Sequence, residues 1–254
     1  MVVGMESFIR KFKDYTDCYT IIGGAACDIL MTEAETDFRA TRDIDMILIM
    51  EARQKEFVKI FWEYVLEGGY RFGWKNNEGV HFYRFTEPGP GYPFMIELFS
   101  REPDYITEAP SGIVPIHADD DTSSLSAILL DDDYYNFMLE GCRVVSGVSV
   151  LDAEHIIPFK MYAWLNLKDR KQRGEHVNER DLKKHKYDVF RLLQIIDRSI
   201  IVDTHGLVRE NTARFMREIR SEKIPFKQLS LPFEMDEALE LLNDLYGKLN
   251  EDME

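Results

Sequence analysis

Cysteine is scarce in this chain: 254 residues hold only 3, at Cys18, Cys27 and Cys142. They are odd in number, widely spaced and form no CxxC, which argues against a disulfide framework or a structural zinc site. Long hydrophobic runs are missing as well. The longest span a few residues, far short of the ~20 that cross a bilayer. The opening MVVGMESFIRKFKDY has no apolar h-region of an export signal. A cytoplasmic, reduced protein is therefore expected. Positive charge is in deficit, with 31 Lys+Arg against 46 Asp+Glu and a net charge of −15. That balance weighs against a protein whose whole surface grips nucleic acid. Several catalytic signatures are also missing: the 6 histidines form no HExxH or HxH, and neither GxxxxGK[ST] nor GxSxG occurs. Gly89-Pro90-Gly91 fails GxGxxG because Phe94 stands at the third glycine position.

What is present is an ordinary globular composition, 45% apolar and 30% charged. The charge is unevenly spread. Residues 1–150 carry most of the acidic excess, whereas the stretch from Lys160 to Arg191 is basic. The shift marks a boundary near residue 150. Before it, helix and strand alternate. Residues 5–14 read as a helix, CYTIIGG (18–24) as a buried strand ended by a glycine pair, AACDILMT (25–32) as a short helix, and DIDMILIM (43–50) as a strand. Apolar residues at helical spacing fill 53–67; RFGWK and VHFYRFT read as strands around a turn, and FMIELFS (94–100) as another. SAILLD and RVVSGVSVL are strand-like, and residues 131–140 predict a helix capped by its own aspartates. The Asp triplets at 119–121 and 131–133 read as solvated loop and helix cap before metal sites. After residue 150 the pattern is helical, over about 152–170, 179–198, 206–221 and 234–250.

Four features suit one chemistry. Gly23-Gly24 lies between a strand and a helix, where a backbone without Cβ and a helix N-terminus favour a bound phosphate. A simple turn is the competing explanation. Asp43 and Asp45 stand two apart on a strand and so share one face. Two adjacent carboxylates repel each other and make sense around a hard divalent cation; a solvated strand face is the alternative. Glu97 lies inside the apolar strand Met95-Ile96-Glu97-Leu98-Phe99 and needs a partner there. If its strand neighbours 43–50, it becomes a third carboxylate or a base. Finally, Lys160, Trp164 and Lys168 share one helix face, and Lys184, Asp188 and Arg191 another. Those residues suit a nucleoside triphosphate, or form helix-surface pairs worth ~0.3–0.5 kcal/mol.

Taken together, Gly23-Gly24 followed by Arg39-Ala40-Thr41-Arg42-Asp43-Ile44-Asp45 resembles the nucleotidyltransferase superfamily signature. With Lys160 and Lys184-His185-Lys186-Tyr187-Asp188-Val189, the pattern is most similar to the AbiEii-like branch, whose members include toxins of type IV toxin–antitoxin pairs. The resemblance covers roughly residues 18–50, 94–100 and 155–195. Its spacer from Gly24 to Asp43 is longer than in many members, and Glu97 stands where Asp is commoner.

The resemblance implies an α+β fold, a small mixed sheet flanked by helices and followed by a C-terminal helical domain. The charge shift near residue 150 divides the chain into domains at 1–150 and 151–254. The resemblance also implies transfer of NMP from an NTP to an RNA, protein or small-molecule acceptor. Asp43, Asp45 and Glu97 would be catalytic and hold two Mg²⁺ ions. Gly23, Gly24, Thr41, Lys160, Lys184 and Asp188 would bind the nucleotide. A toxin would also have a cognate antitoxin; no membrane is implied. Two other readings stay open: a catalytically weak nucleotide-binding module acting through a partner, and an aminoglycoside nucleotidyltransferase.

Overall fold

A computed structural model describes residues 2–49, 54–77, 80–100 and 131–247. The chain divides into two compact units, Met1–Asp119 with Cys142–Asp152, and Asp120–Gly141 with Ala153–Glu254. The expected strand SAILLD and the Asp triplet at 119–121 lie outside the described residues.

The first unit is a seven-stranded mixed sheet with helices. Its described elements are α1 (Met5–Phe12), β1 (Tyr19–Ile22), α2 (Gly23–Glu33), β2 (Asp43–Leu48), α3 (Gln54–Glu67), β3 (Arg71–Asn77), β4 (Val80–Thr86), β5 (Met95–Ser100), β6 (Cys142–Val145) and β7 (Val148–Leu151). The strand order is β3-β4-β5-β2-β1-β7-β6. β2 runs parallel to β5 and antiparallel to β1, and β1 runs parallel to β7. RVVSGVSVL forms β6 and β7 as a hairpin, because Ser146 and Gly147 both take positive φ (50° and 84°). That is the turn that matches the twist of paired strands.

The strand period explains how this sheet is sided. Tyr19, Ile21, Ile44, Met46, Leu48, Tyr83, Phe85, Ile96 and Leu98 alternate onto one face and are all buried. Against that face lies an aromatic cluster from α1 and α3. The Phe8 and Tyr19 rings meet edge to face at 5.6 Å, Tyr19 stacks on Phe57 at 5.8 Å, and Phe61 meets Phe85 at 5.2 Å. Each such side chain contributes about 1.5–3 kcal/mol on burial. The intervening positions, among them Asp43, Asp45, Arg84 and Glu97, share the opposite face.

The second unit is helical among its described residues: α4 (Asp132–Glu140), α5 (Ala153–Gln172), α6 (Glu179–Leu193), α7 (Gly206–Ile219) and α8 (Met235–Leu245). Asp131 caps α4 as its composition predicts, accepting from the Asp133 and Tyr134 amides. Asn178 caps α6 in the same way, through the Arg180 amide. The core is again aromatic, with Trp164 against Phe215 at 5.3 Å and Phe190 against Phe226 at 5.2 Å. α6 stops at Leu193, short of the 198 its apolar stripe suggests, and α8 stops at Leu245. No helix among the described residues is long and apolar enough to cross a membrane.

Candidate active site

β1 ends at Ile22 and α2 begins at once with Gly23. Gly23 has φ +67°, a left-handed conformation that glycine adopts without steric cost. A second constraint acts there too: a Cβ on Gly23 would collide with Asp45 Oδ2. The strand-to-helix turn is thus pressed against the carboxylate. At Gly24 a Cβ would sit 2.9 Å from Thr41 Oγ1 and 3.4 Å from Arg39 Nη2. The loop before β2 therefore closes over the first turn of α2. The N-cap residue, Ile22, has no side-chain oxygen to cap that turn, and the turn contains no acidic side chain. Its amides and dipole suit an anion.

Strand register brings the acids together. Ile22 is opposite Asp45 on β1 and β2, Asp45 is beside Glu97 on β2 and β5, and Glu97 is opposite Arg84 on β5 and β4. Asp45, Glu97 and Arg84 thus occupy consecutive places in one row across one sheet face, with Asp43 two residues along. Asp43 and Asp45 are half-buried, whereas Glu97 is buried at 7% exposure.

Glu97 has its partner within that row. Arg84 Nε donates to Glu97 Oε1 at 2.7 Å, and Arg84 Nη2 lies 2.5 Å from the same oxygen. Among the described residues, no three His, Cys, Asp or Glu side chains are grouped to hold a metal. The structure therefore sets Glu97 beside Asp45 in register but commits its carboxylate to Arg84. Arg84 was not singled out in the sequence. Its only signal is an arginine on the same strand parity as a glutamate 13 residues later, which means nothing until the register is known.

Asp43 and Asp45 fit a divalent cation by donor type, since hard cations take carboxylate oxygens and complete their shells with phosphate and water. The place of Asp45 against the Gly23 turn also suits the pair to a cation carrying phosphates.

The candidates in the helical unit lie elsewhere in the chain and are paired within that unit. Asp188 is fully buried on α6, so it is not part of a solvated surface pair. Its Oδ2 lies 3.4 Å from Lys160 Nζ on α5, and its Oδ1 accepts from Arg191 at 3.2 Å. Lys184 Nζ lies 3.8 Å from Asp181. The basic stretch is largely neutralised by acids of the helical unit: Lys168 meets Glu218, Arg170 and Arg173 share Glu175, Lys171 meets Glu179, and Lys186 meets Glu222. Lys168 also sits 4.6 Å over the buried Trp164 ring. A hydrogen bond from Arg214 holds the Asp169 carboxyl below its ordinary range, against the opposing effect of burial.

No protein-family model matches this chain. No curated protein matches it either. Solved structures similar to it include an antigenic nucleotidyltransferase-like protein from Paracoccidioides brasiliensis, at 15% identity and TM-score 0.45, covering 94% of this chain and 90% of that one. JHP933 from Helicobacter pylori is similar at 12% identity and TM-score 0.38, covering 98% of this chain and 90% of that one. The Megavirus polyadenylate synthase is similar at 12% identity and TM-score 0.40, covering 93% of this chain but 47% of that one.

Proposed function

We propose that this chain is a metal-dependent nucleotidyltransferase, moving NMP from an NTP to an RNA, protein or small-molecule acceptor with release of pyrophosphate. The observation that carries the reading is the contact between the Gly23 turn and the Asp45 carboxylate. It sets an uncapped helix N-terminus, suited to phosphate, directly against a carboxylate suited to the phosphate's cation.

In this reading the Gly23 and Gly24 backbones approach the phosphates, and Thr41 closes over them. Asp43 and Asp45 would hold Mg²⁺, which would neutralise phosphate charge and so favour displacement at the phosphate. Glu97 keeps its proposed place in the same row, adding negative charge beside Asp45 while Arg84 offsets it. Lys160, Lys184 and Asp188 stay proposed as nucleotide-binding on the strength of the resemblance; within the helical unit, the fully buried Asp188 holds the Lys160 ammonium in place. The AbiEii-like assignment, a toxin role opposed by an antitoxin and the identity of the acceptor belong to the same proposal.

One observation favours a second reading. The pairing of Glu97 with Arg84, and the lack of any group of three metal-ligating side chains among the described residues, leave Asp43 and Asp45 as the carboxylates for a cation. That suits a nucleotide-binding module of weak activity acting through a partner. Incubation with radiolabelled NTPs, Mg²⁺ and total RNA, lysate or an aminoglycoside separates the readings. A labelled acceptor that disappears with Asp45→Asn supports transfer, and its chemical class names the acceptor. Nucleotide binding with no labelled product supports the module. Full transfer by Asp45→Asn overturns the assigned roles.

A further inference from the structure

The row Asp45, Glu97, Arg84 poses a question of charge. Two carboxylates lie side by side in register, one of them 7% exposed, and a guanidinium is bonded to the buried one from the strand beyond. An arginine is never deprotonated in a protein. With two nitrogens on one Glu97 oxygen, it holds that carboxylate by a charge-assisted pair that a hydrated cation displaces with difficulty.

We propose that Arg84 is a positioning residue that withholds Glu97 from the Asp43 and Asp45 pair. The nucleotide-free protein then meets a divalent cation with two carboxylates and needs phosphate oxygens to complete the shell, so cation binding is coupled to nucleotide binding. The inference rests on the reading that Asp43 and Asp45 hold the cation. Its physical basis is that cation affinity follows the number of charged oxygen ligands. A third carboxylate in reach would bind the cation without nucleotide; Arg84 removes that ligand from the count.

Mn²⁺ titration of the full-length, nucleotide-free protein tests this, read by calorimetry and by the paramagnetic resonance of free Mn²⁺. Arg84→Met removes the guanidinium from Glu97 Oε1 and is expected to bind Mn²⁺ about tenfold or more tightly than the parent protein. Removing one positive charge would also strengthen binding, so R42M serves as the control: Arg42 is exposed and directly precedes Asp43, and its loss removes the same charge while Glu97 stays on Arg84. Most of the gain should be missing from R42M. An equal gain in R84M and R42M assigns the effect to charge alone and overturns the proposal, as does no gain in R84M.

If R84M does not fold, the apolar pair R84M/E97M remains, since replacing both members of a buried ion pair is often tolerated. It should bind Mn²⁺ within about twofold of the parent. A loss of about tenfold or more would show Glu97 to be a ligand already, and would overturn the proposal. Asp45→Asn separates this proposal from the functional reading beneath it. Undiminished Mn²⁺ binding by D45N overturns both, whereas loss in D45N without gain in R84M overturns the role of Arg84 alone.

Discussion

Gly23 stands so close to Asp45 that a single methyl group does not fit between them. The last residue of β1 is opposite Asp45, and the next residue turns the chain into α2 with φ +67°. Two independent constraints, the left-handed backbone and the carboxylate behind it, therefore fall on one residue. Gly23→Ala should destabilise the first unit by about 1–2 kcal/mol from backbone strain alone. It should also displace the Asp45 carboxylate, weakening Mn²⁺-dependent nucleotide binding beyond what the lost stability accounts for. Urea unfolding and nucleotide titration of the same variant measure the two effects.

Asp43 and Asp45 are half-buried and pack no hydrophobic core, so their replacement by Asn is nearly isosteric. Asp43→Asn and Asp45→Asn should each lower transfer by about 10²-fold or more. The thermal midpoint should stay close to that of the parent protein. Initial rates with a labelled NTP, alongside thermal melts, check both halves of the statement.

The helical unit offers a test of stability. Asp188 is fully buried between Lys160 and Arg191, and Lys160 is itself 5% exposed. Asp188→Ala leaves a buried ammonium without its carboxylate and should cost about 3–5 kcal/mol in urea unfolding. The double change K160M/D188L should recover most of that loss, because a well-packed apolar pair replaces a buried ionic one at little net cost. If D188A and the double variant were equally unstable, packing rather than charge would be the reason Asp188 sits there.

The pair Asp169 and Arg214 governs part of the acid range. The hydrogen bond from Arg214 lowers the Asp169 pKa below its ordinary 3.8. A folded pKa below the unfolded one contributes stability above pH 3.8 that is lost as the pH falls through the folded value. Glu218, also bonded to Arg214, is lowered too: burial pushes it up, and the bonds from Lys168 and Arg214 outweigh that. Arg214→Gln should therefore be less stable than the parent near neutrality, by under about 1 kcal/mol for so exposed a pair. The difference should shrink as the pH falls below about 4. Denaturation midpoints across that range measure it.

Much of this molecule is legible from residue order alone, because the features concerned are local. A glycine pair between an apolar strand and a helix, two aspartates two apart on a strand, and aspartates heading a helix each follow from the chain's own period and from backbone geometry. These place the Gly23 turn, the shared face of Asp43 and Asp45, and the Asp131 cap within a residue or two. The overrun at α6 has a local cause as well, since Ile196 continues the apolar spacing past the point where the helix ends.

What the tertiary structure alone decided is pairing. That Glu97 lies beside Asp45 depends on β5 joining β2 in parallel, across a sequence separation of about fifty residues. That Arg84 takes its carboxylate depends on the register of β4, where a slip of one residue would turn Arg84 to the other face. The basic stretch 160–191 promised a cationic surface by composition. Packing instead set most of its charges against acids, including Glu218 and Glu222 from beyond the stretch. Residue order dictates what a side chain is and which way its strand or helix points it. Its partner is chosen by contacts distant in sequence, whose register is set by the burial of whole faces at once.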